Sequence, residues 1–330
     1  MAVSLSLLRQ LQSGPASDSW KAVLSYAWTI CSQPLAADSA QQEVNSRDSQ
    51  LADLDLFLAT AGWDLWRSYE GAVEQTSEAL ANWWSSTSGG KAILILDALS
   101  LREVPWILKG AAERGYQVEA RATGAELPAD TTPFAKALGF SQRSSLGNNG
   151  AGGAHRLTGA RTECVDYHWA DCLNAVGADP QIVIWHQWPD SHLHEFATIG
   201  RGLRMLSEEA AKRLTDDEFW RFVGRLSTGR RLIITSDHGY AASGNFADTS
   251  EADQKTYLKD TYSSGRWVKD NERAQAPWLP PISLTLVTKH GRNSYVVGRR
   301  KWKSPAGYPT LAHGGLSVLE IASPFIEISR

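Results

Sequence analysis

Residues 91–100 read "KAILILDALS", and the fold turns on how this stretch is interpreted. Ala92 to Leu96 run without a polar break and end on Asp97. A strand with one wet face would alternate, so a continuous apolar run marks a parallel strand buried on both faces. Downstream, a helical stretch from about Leu101 to Arg114 leads to "YQVEARAT". Further strand-like runs follow in "QIVIWHQW", "RRLIITSDHG", "ISLTLVTKH", "SYVVGRRKW" and "LEIASPFIEIS". Helical stretches such as "EEAAKRLTDDEFWRFVGRLSTG" separate several of them. This alternation predicts an α/β fold with an open, doubly wound, mainly parallel sheet flanked by helices. "SLGNNGAGGAH" (145–155) reads as a loop, and 241–281, which lacks a core pattern, as an insertion over the sheet.

Upstream, residues 1–90 read as helical and close on "SSTSGG". They hold ten Asp or Glu against four Lys or Arg, an acidic helical segment suited to packing or to a partner. The net charge of −3 over 330 residues makes no general argument for nucleic acid. Three cysteines without paired spacing argue against a disulfide scaffold and fit a reducing compartment. "MAVSLSLLRQLQSG" lacks the basic start of a signal peptide, and no apolar run approaches the ~20 residues of a membrane span. The expectation is a soluble, cytoplasmic protein with no membrane partner.

Ligands of open α/β sheets bind beyond the carboxyl ends of the strands. There the sequence places Asp97, then Asp190, His192 and His194, then Asp237 and His238, and on the turn "LAHGGLS" His313. Each alone suits a cap or a loop. Converging, they form a set of oxygen and nitrogen donors without thiolate, which suits zinc or manganese, and so many donors suit two cations. "ADTTPF" (129–134) adds a hydroxyl. Pro133 fits a first helical position, which makes Thr132 the N-cap, facing N–H groups that stabilise an anion. Thr131 is the alternative.

The order Asp, Thr at a helix start, Asp-x-x-x-His, Asp-His and a late His resembles the alkaline phosphatase superfamily. Within it, "ILILDAL", "ITSDHGY" and "LAHGGLSVLEIASPFIEI" resemble the PglZ domain, over Lys91 to Arg330. The resemblance implies one cation on Asp190, His194 and His313. It implies a second on Asp97, Asp237 and His238, reached by Thr132 as nucleophile. The reaction implied is in-line displacement at phosphorus through a phosphothreonine. The substrate implied is a phosphodiester of a nucleotide or oligonucleotide, with a phosphomonoester next. The alternative is a partner-binding subunit of a phage-exclusion defence complex, docking through the N-terminal helices.

Two positions depart from the pattern. The family's Arg three residues after the first Asp is Ser100 here, a rival nucleophile, with Arg102 two further on. His192 falls outside the Asp-x-x-x-His spacing. The sulfatase signature is absent, which argues against sulfate esters. Nine Lys or Arg between Arg266 and Lys303, interleaved with Trp267, Trp278 and Trp302, suit a phosphodiester backbone and its bases, or equally a solvated hairpin.

Overall fold

The computed structural model describes residues 3–36, 39–197, 202–242, 247–275, 282–303 and 311–330. Before the first strand lie helices α1 (Leu5–Ser13), α2 (Ala16–Cys31), α3 (Ala40–Ala61), α4 (Trp63–Ala72) and α5 (Thr76–Ser86), and after it comes α6 (Val104–Glu113). In α2, Trp20, Val23, Leu24 and Ala27 recur at helical spacing and are all buried. Trp20 packs against Trp66 of α4 with ring centroids 4.8 Å apart. Among the described residues, no helix is long and apolar enough to cross a membrane.

The central sheet comprises β1 (Lys91–Leu96), β2 (Gln117–Gly124), β3 (Arg161–Val165), β4 (Gln181–His186), β5 (Arg231–Thr235) and a C-terminal strand, Ala322–Ser329. Its order is β2, C-terminal strand, β5, β1, β4, β3. β1 runs parallel to both neighbours, with Leu96 opposite His186 and Ile95 opposite Thr235. The C-terminal strand is antiparallel to β2 and β5. The sheet is therefore mainly parallel, as the apolar runs predict. It is also doubly wound. Ala92, Leu94 and Leu96 join the core on one face, and Ile93 and Ile95 the core on the other. Each such aliphatic side chain contributes about 1.5–3 kcal/mol on burial.

Three readings need correction. β3 was not foreseen, because "RTECV" is a half-buried edge strand without a continuous apolar run. "ISLTLVTKH" and "SYVVGRRKW" stay out of the central sheet. Ser283–Thr288 and Gly291–Val296 pair with each other and with Trp267–Lys269 in a separate three-stranded sheet. Ser283–Thr288 buries only alternate residues, the habit of a strand with one covered face. Most of 145–155, read as a loop, belongs to a segment of 3-10 turns that runs over Arg143–Gly153.

The N-terminal helices share the core with the sheet. Leu51, Leu54 and Leu58 of α3 belong to the same buried cluster as Leu94 and Leu96. Two acids of α3 are buried with them. Asp48 pairs with Arg102 and, at 2.6 Å, with Arg299. Asp55 pairs with Arg299 and accepts the Val318 N–H at 2.6 Å. Part of the acidic charge of residues 1–90 thus faces inward.

Candidate metal centre

β1, β4 and β5 are neighbours, so the residues that follow their carboxyl ends converge. The backbone fixes this junction. The Asp97 N–H donates to the His186 carbonyl, and the Asp190 N–H to the Asp97 carbonyl, each at 3.0 Å. Ala98 adopts φ 60, the left-handed region, and its N–H donates to Asp237 Oδ1 at 2.9 Å. A non-glycine residue held there costs about 1–3 kcal/mol, which the surrounding structure must support.

The donor atoms form two groups that share one imidazole: Asp97, Asp237 and His238 in the first, Asp190, His238 and His313 in the second. Within each, they lie within 4.8 Å of one another. His238 Nε2 is 3.4 Å from Asp237 Oδ2 and 3.9 Å from Asp97 Oδ1. His313 Nε2 is 3.7 Å from Asp190 Oδ1. The two imidazoles stack at 4.4 Å and are anchored alike. His238 Nδ1 donates to the Gly239 carbonyl at 2.9 Å, and His313 Nδ1 to the Ala129 carbonyl at 3.4 Å. A carbonyl can only accept, so in the neutral ring the lone pair is left on Nε2, turned toward the carboxylates.

Asp237 Oδ2, Asp190 Oδ1 and His238 Nε2 are buried without a hydrogen-bond partner. An unsatisfied buried polar atom costs about 1–3 kcal/mol. One cation in each group would satisfy these atoms together, so the residues fit a divalent metal. Carboxylate oxygen and imidazole nitrogen suit zinc or manganese.

The charges also favour a cation. Burial, and then the neighbouring charges of Asp237 and Asp190, push Asp97 well above the usual carboxylate range. Asp190 goes the other way. Burial raises it, but the His194 hydrogen bond and the charges of His313 and His238 outweigh that and hold it at about 2. The same bond raises His194. Burial works to lower His238, but Asp237 and Asp190 carry it upward. Burial and the His238 charge lower His313.

Asp97, Asp190, Asp237, His238 and His313 are thus brought together. His194 stands at the rim, its side chain 63 % exposed and Nε2 3.3 Å from Asp190 Oδ2. It reaches the centre through Asp190. His192 turns away, with Nε2 3.3 Å from Arg213 and Nδ1 3.6 Å from Glu209.

The threonine reading needs correction. Helix α7 (Thr131–Leu138) starts two residues earlier than Pro133 suggests, and its N-cap is Asp130, in extended conformation. Thr132 is the second helical residue and is exposed. Thr131 is half-buried, and its Oγ1 donates to Asp97 Oδ1 at 3.3 Å. Ser100 is a buried N-cap that forms a capping box with Glu103, which disposes of it as a rival. Arg102 is turned to Asp48.

Two residues of the centre carried no signal in the sequence reading. Trp185 Nε1 donates to Asp97 Oδ2 at 3.1 Å. Its alternate position on β4 could have suggested that it faces α7. Arg143 Nε lies 3.6 Å from the same oxygen, and its Nη2 donates to the Val165 carbonyl at 2.9 Å and the Trp185 carbonyl at 3.3 Å. Nothing in the sequence around it announces that position.

The basic strip between Arg266 and Lys303 is largely neutralised within the chain. Arg266 pairs with Glu320, Lys269 with Glu272, Arg273 and Arg292 with Asp270, and Lys289 with Glu126. Arg299 pairs with Asp48 and Asp55. Trp302 is buried, and Trp267 Nε1 donates to Asp130 at 3.0 Å. Trp278 lies outside the described residues.

No protein-family profile matches the chain. No curated protein matches it either. Among solved structures, the chain is similar to murine ectonucleotide pyrophosphatase/phosphodiesterase 5, solved by itself and as an inactive variant in complex with AMP. In both comparisons the TM-score is 0.33 and the identity 16 %, over 49 % of this chain and 52 % of the murine one. The chain spans about half the length of that neighbour, and a likeness this slight carries no argument about the site.

Proposed function

We propose that the chain is a metal-dependent phosphoric ester hydrolase that acts on phosphodiesters through Thr131. The observation that carries this reading is the pair of donor groups, with three unpartnered buried atoms, beside a threonine hydroxyl bonded to one of the donors. Asp97, Asp237 and His238 would hold one divalent cation, and Asp190 and His313, with His194 at the rim, the other. When bound, such cations polarise phosphoryl oxygens and ease ionisation of a nearby hydroxyl.

The chain's own residues do the rest. Asp97 accepts the Thr131 hydroxyl hydrogen bond, which orients Oγ1. The start of α7 presents N–H groups to developing negative charge. Attack of Oγ1 on phosphorus forms the phosphothreonine ester and breaks the bond to the leaving alcohol; water then cleaves the ester and restores Thr131. A diester is favoured over a monoester because a dianion calls for more cationic side chains. Arg143 is already occupied by Asp97 and two strand-end carbonyls.

The test compares bis-p-nitrophenyl phosphate with p-nitrophenyl phosphate, with added zinc or manganese, on wild type, Thr131→Ala and Thr132→Ala. Metal-dependent diester cleavage should fall by roughly a thousandfold or more in Thr131→Ala and stay near wild type in Thr132→Ala. The reverse ranking would return the nucleophile to Thr132. Metal retention with neither ester cleaved would overturn the hydrolase reading and leave a partner-binding role.

A further inference from the structure

β2 is an edge strand: it pairs with the C-terminal strand alone, from Gln117 opposite Ser329 to Gly124 opposite Ala322. Its free side is met only at one end, where the Gly124 N–H donates to the Glu74 carbonyl at 3.0 Å. Backbone direction alternates along a strand, so the even residues face outward. Among the described residues, no hydrogen bond engages the backbone groups of Val118, Ala120 or Ala122. An edge strand this long, with bare N–H and C=O groups, is a template for a further strand.

Its two sides are open as well. A groove of about 740 Å³ separates it from α2, lined by Leu24, Trp28 and Val73 with Ala120 and Ala122. A second, of about 530 Å³, lies on the opposite face, lined by Trp83 and Phe325 with Glu119 and Arg121.

The side chains identify the occupant. Glu119 and Arg121 are exposed and flank Ala120. If a second β2 runs antiparallel with Ala120 facing its own counterpart, Glu119 falls opposite the other copy's Arg121 and Arg121 opposite its Glu119. The register is also the one the backbone permits. Outward-facing Val118, Ala120 and Ala122 meet outward-facing Ala122, Ala120 and Val118 as hydrogen-bonded pairs. Glu119 and Arg121 then form non-hydrogen-bonded pairs, whose side chains lie closer. Arg121 lies over the Phe325 ring and pairs with Glu74 at 2.6 Å, so its guanidinium is held exposed on this face and would exchange one carboxylate for another.

We propose that two copies of this chain associate through β2, joining their sheets into one continuous sheet about a twofold axis at Ala120. Nothing in this pairing touches the metal centre, and it stands whether or not the chain is a hydrolase.

The experiment is sedimentation velocity on the full chain at micromolar concentration, with circular dichroism to confirm that each variant is folded. Wild type should sediment at twice the chain mass. Glu119→Arg and Arg121→Glu should each halve that mass, because either one sets like charges opposite each other. Mixing these two single variants should restore the doubled mass, since their charges are complementary. A monomeric wild type, single variants that remain dimeric, or a mixture of folded variants that stays monomeric would each overturn the proposal.

Discussion

His194 and His238 each lie against His313 and do different work. His238 is fully buried and its Nε2 faces both donor groups, whereas His194 is mostly exposed and meets the centre through Asp190. His194→Ala should therefore weaken zinc binding roughly 10–100-fold, the usual cost of losing a ligand's partner. His238→Ala should abolish tight binding at the position it forms with Asp97 and Asp237. Isothermal titration calorimetry reads the difference, and equal losses in the two variants would contradict the placement. At this scale the sequence was legible where a residue's role follows from a strand end: Asp97, Asp190 and Asp237 each stand just past an apolar strand. The threonine was less so. A helix start is decided by the backbone conformation of a single residue, and Asp130, itself a good cap type, supplies it two positions before the proline rule would have it.

The turn that delivers His313 shows what an element needs beyond its own residues. Gly314 has φ +99, and a Cβ there would lie 2.3 Å from Trp267 Cδ1. Glu320 accepts the Gly315 N–H at 2.8 Å and the Ser317 hydroxyl at 2.6 Å, and is paired with buried Arg266 at 2.6 Å. Gly314→Ala should lower both the melting temperature and the zinc affinity, because the strained turn cannot form without moving Trp267. Glu320→Gln should cost about 3–5 kcal/mol by removing the counter-charge of the buried Arg266 guanidinium, which also donates to the Gly298 and Arg300 carbonyls. Chemical denaturation measures that loss, and a change below about 1 kcal/mol would show that hydrogen bonds to neutral acceptors suffice for Arg266. The Gly-Gly turn and the Glu were visible in "LAHGGLSVLE". Arg266, 54 residues upstream, was visible only as one basic residue among nine.

For the whole molecule, two predictions follow from what is buried. Glu103 and Glu126 are enclosed, and burial pushes each from 4.5 to about 7, against the pull of hydrogen bonds from Tyr240 and Ser77. A carboxyl raised in the folded state binds more protons folded than unfolded. Its contribution is therefore fully present below pH 4.5 and is lost as pH rises to about 7. Each group is worth about 3 kcal/mol across that window. Glu126→Gln should flatten the decline in melting temperature between about pH 5 and about pH 8. An unchanged slope would place the proton uptake elsewhere. Removing α1 to α4 should leave no cooperative unfolding transition by circular dichroism, since Leu51, Leu54 and Leu58 belong to the sheet's own core. A stable truncated chain would restore the separate docking module that the acidic composition suggested. The three central parallel strands, β1, β4 and β5, were legible, because continuous burial writes itself as a continuous apolar run. The position of the C-terminal strand was not. Nothing local in "ASPFIEIS" says which of two distant strands it will part.

That strand bears on how the molecule comes to exist. Thr123 of β2 and Ser323, paired in the sheet, are 200 residues apart in the chain. While the polypeptide is being synthesised, β2 emerges 200 residues ahead of its partner and waits, bare on both sides, until that strand has left the ribosome. Neighbouring nascent chains offer it a partner sooner than its own sequence does. Refolding from denaturant should accordingly be slow, with a yield that falls as protein concentration rises.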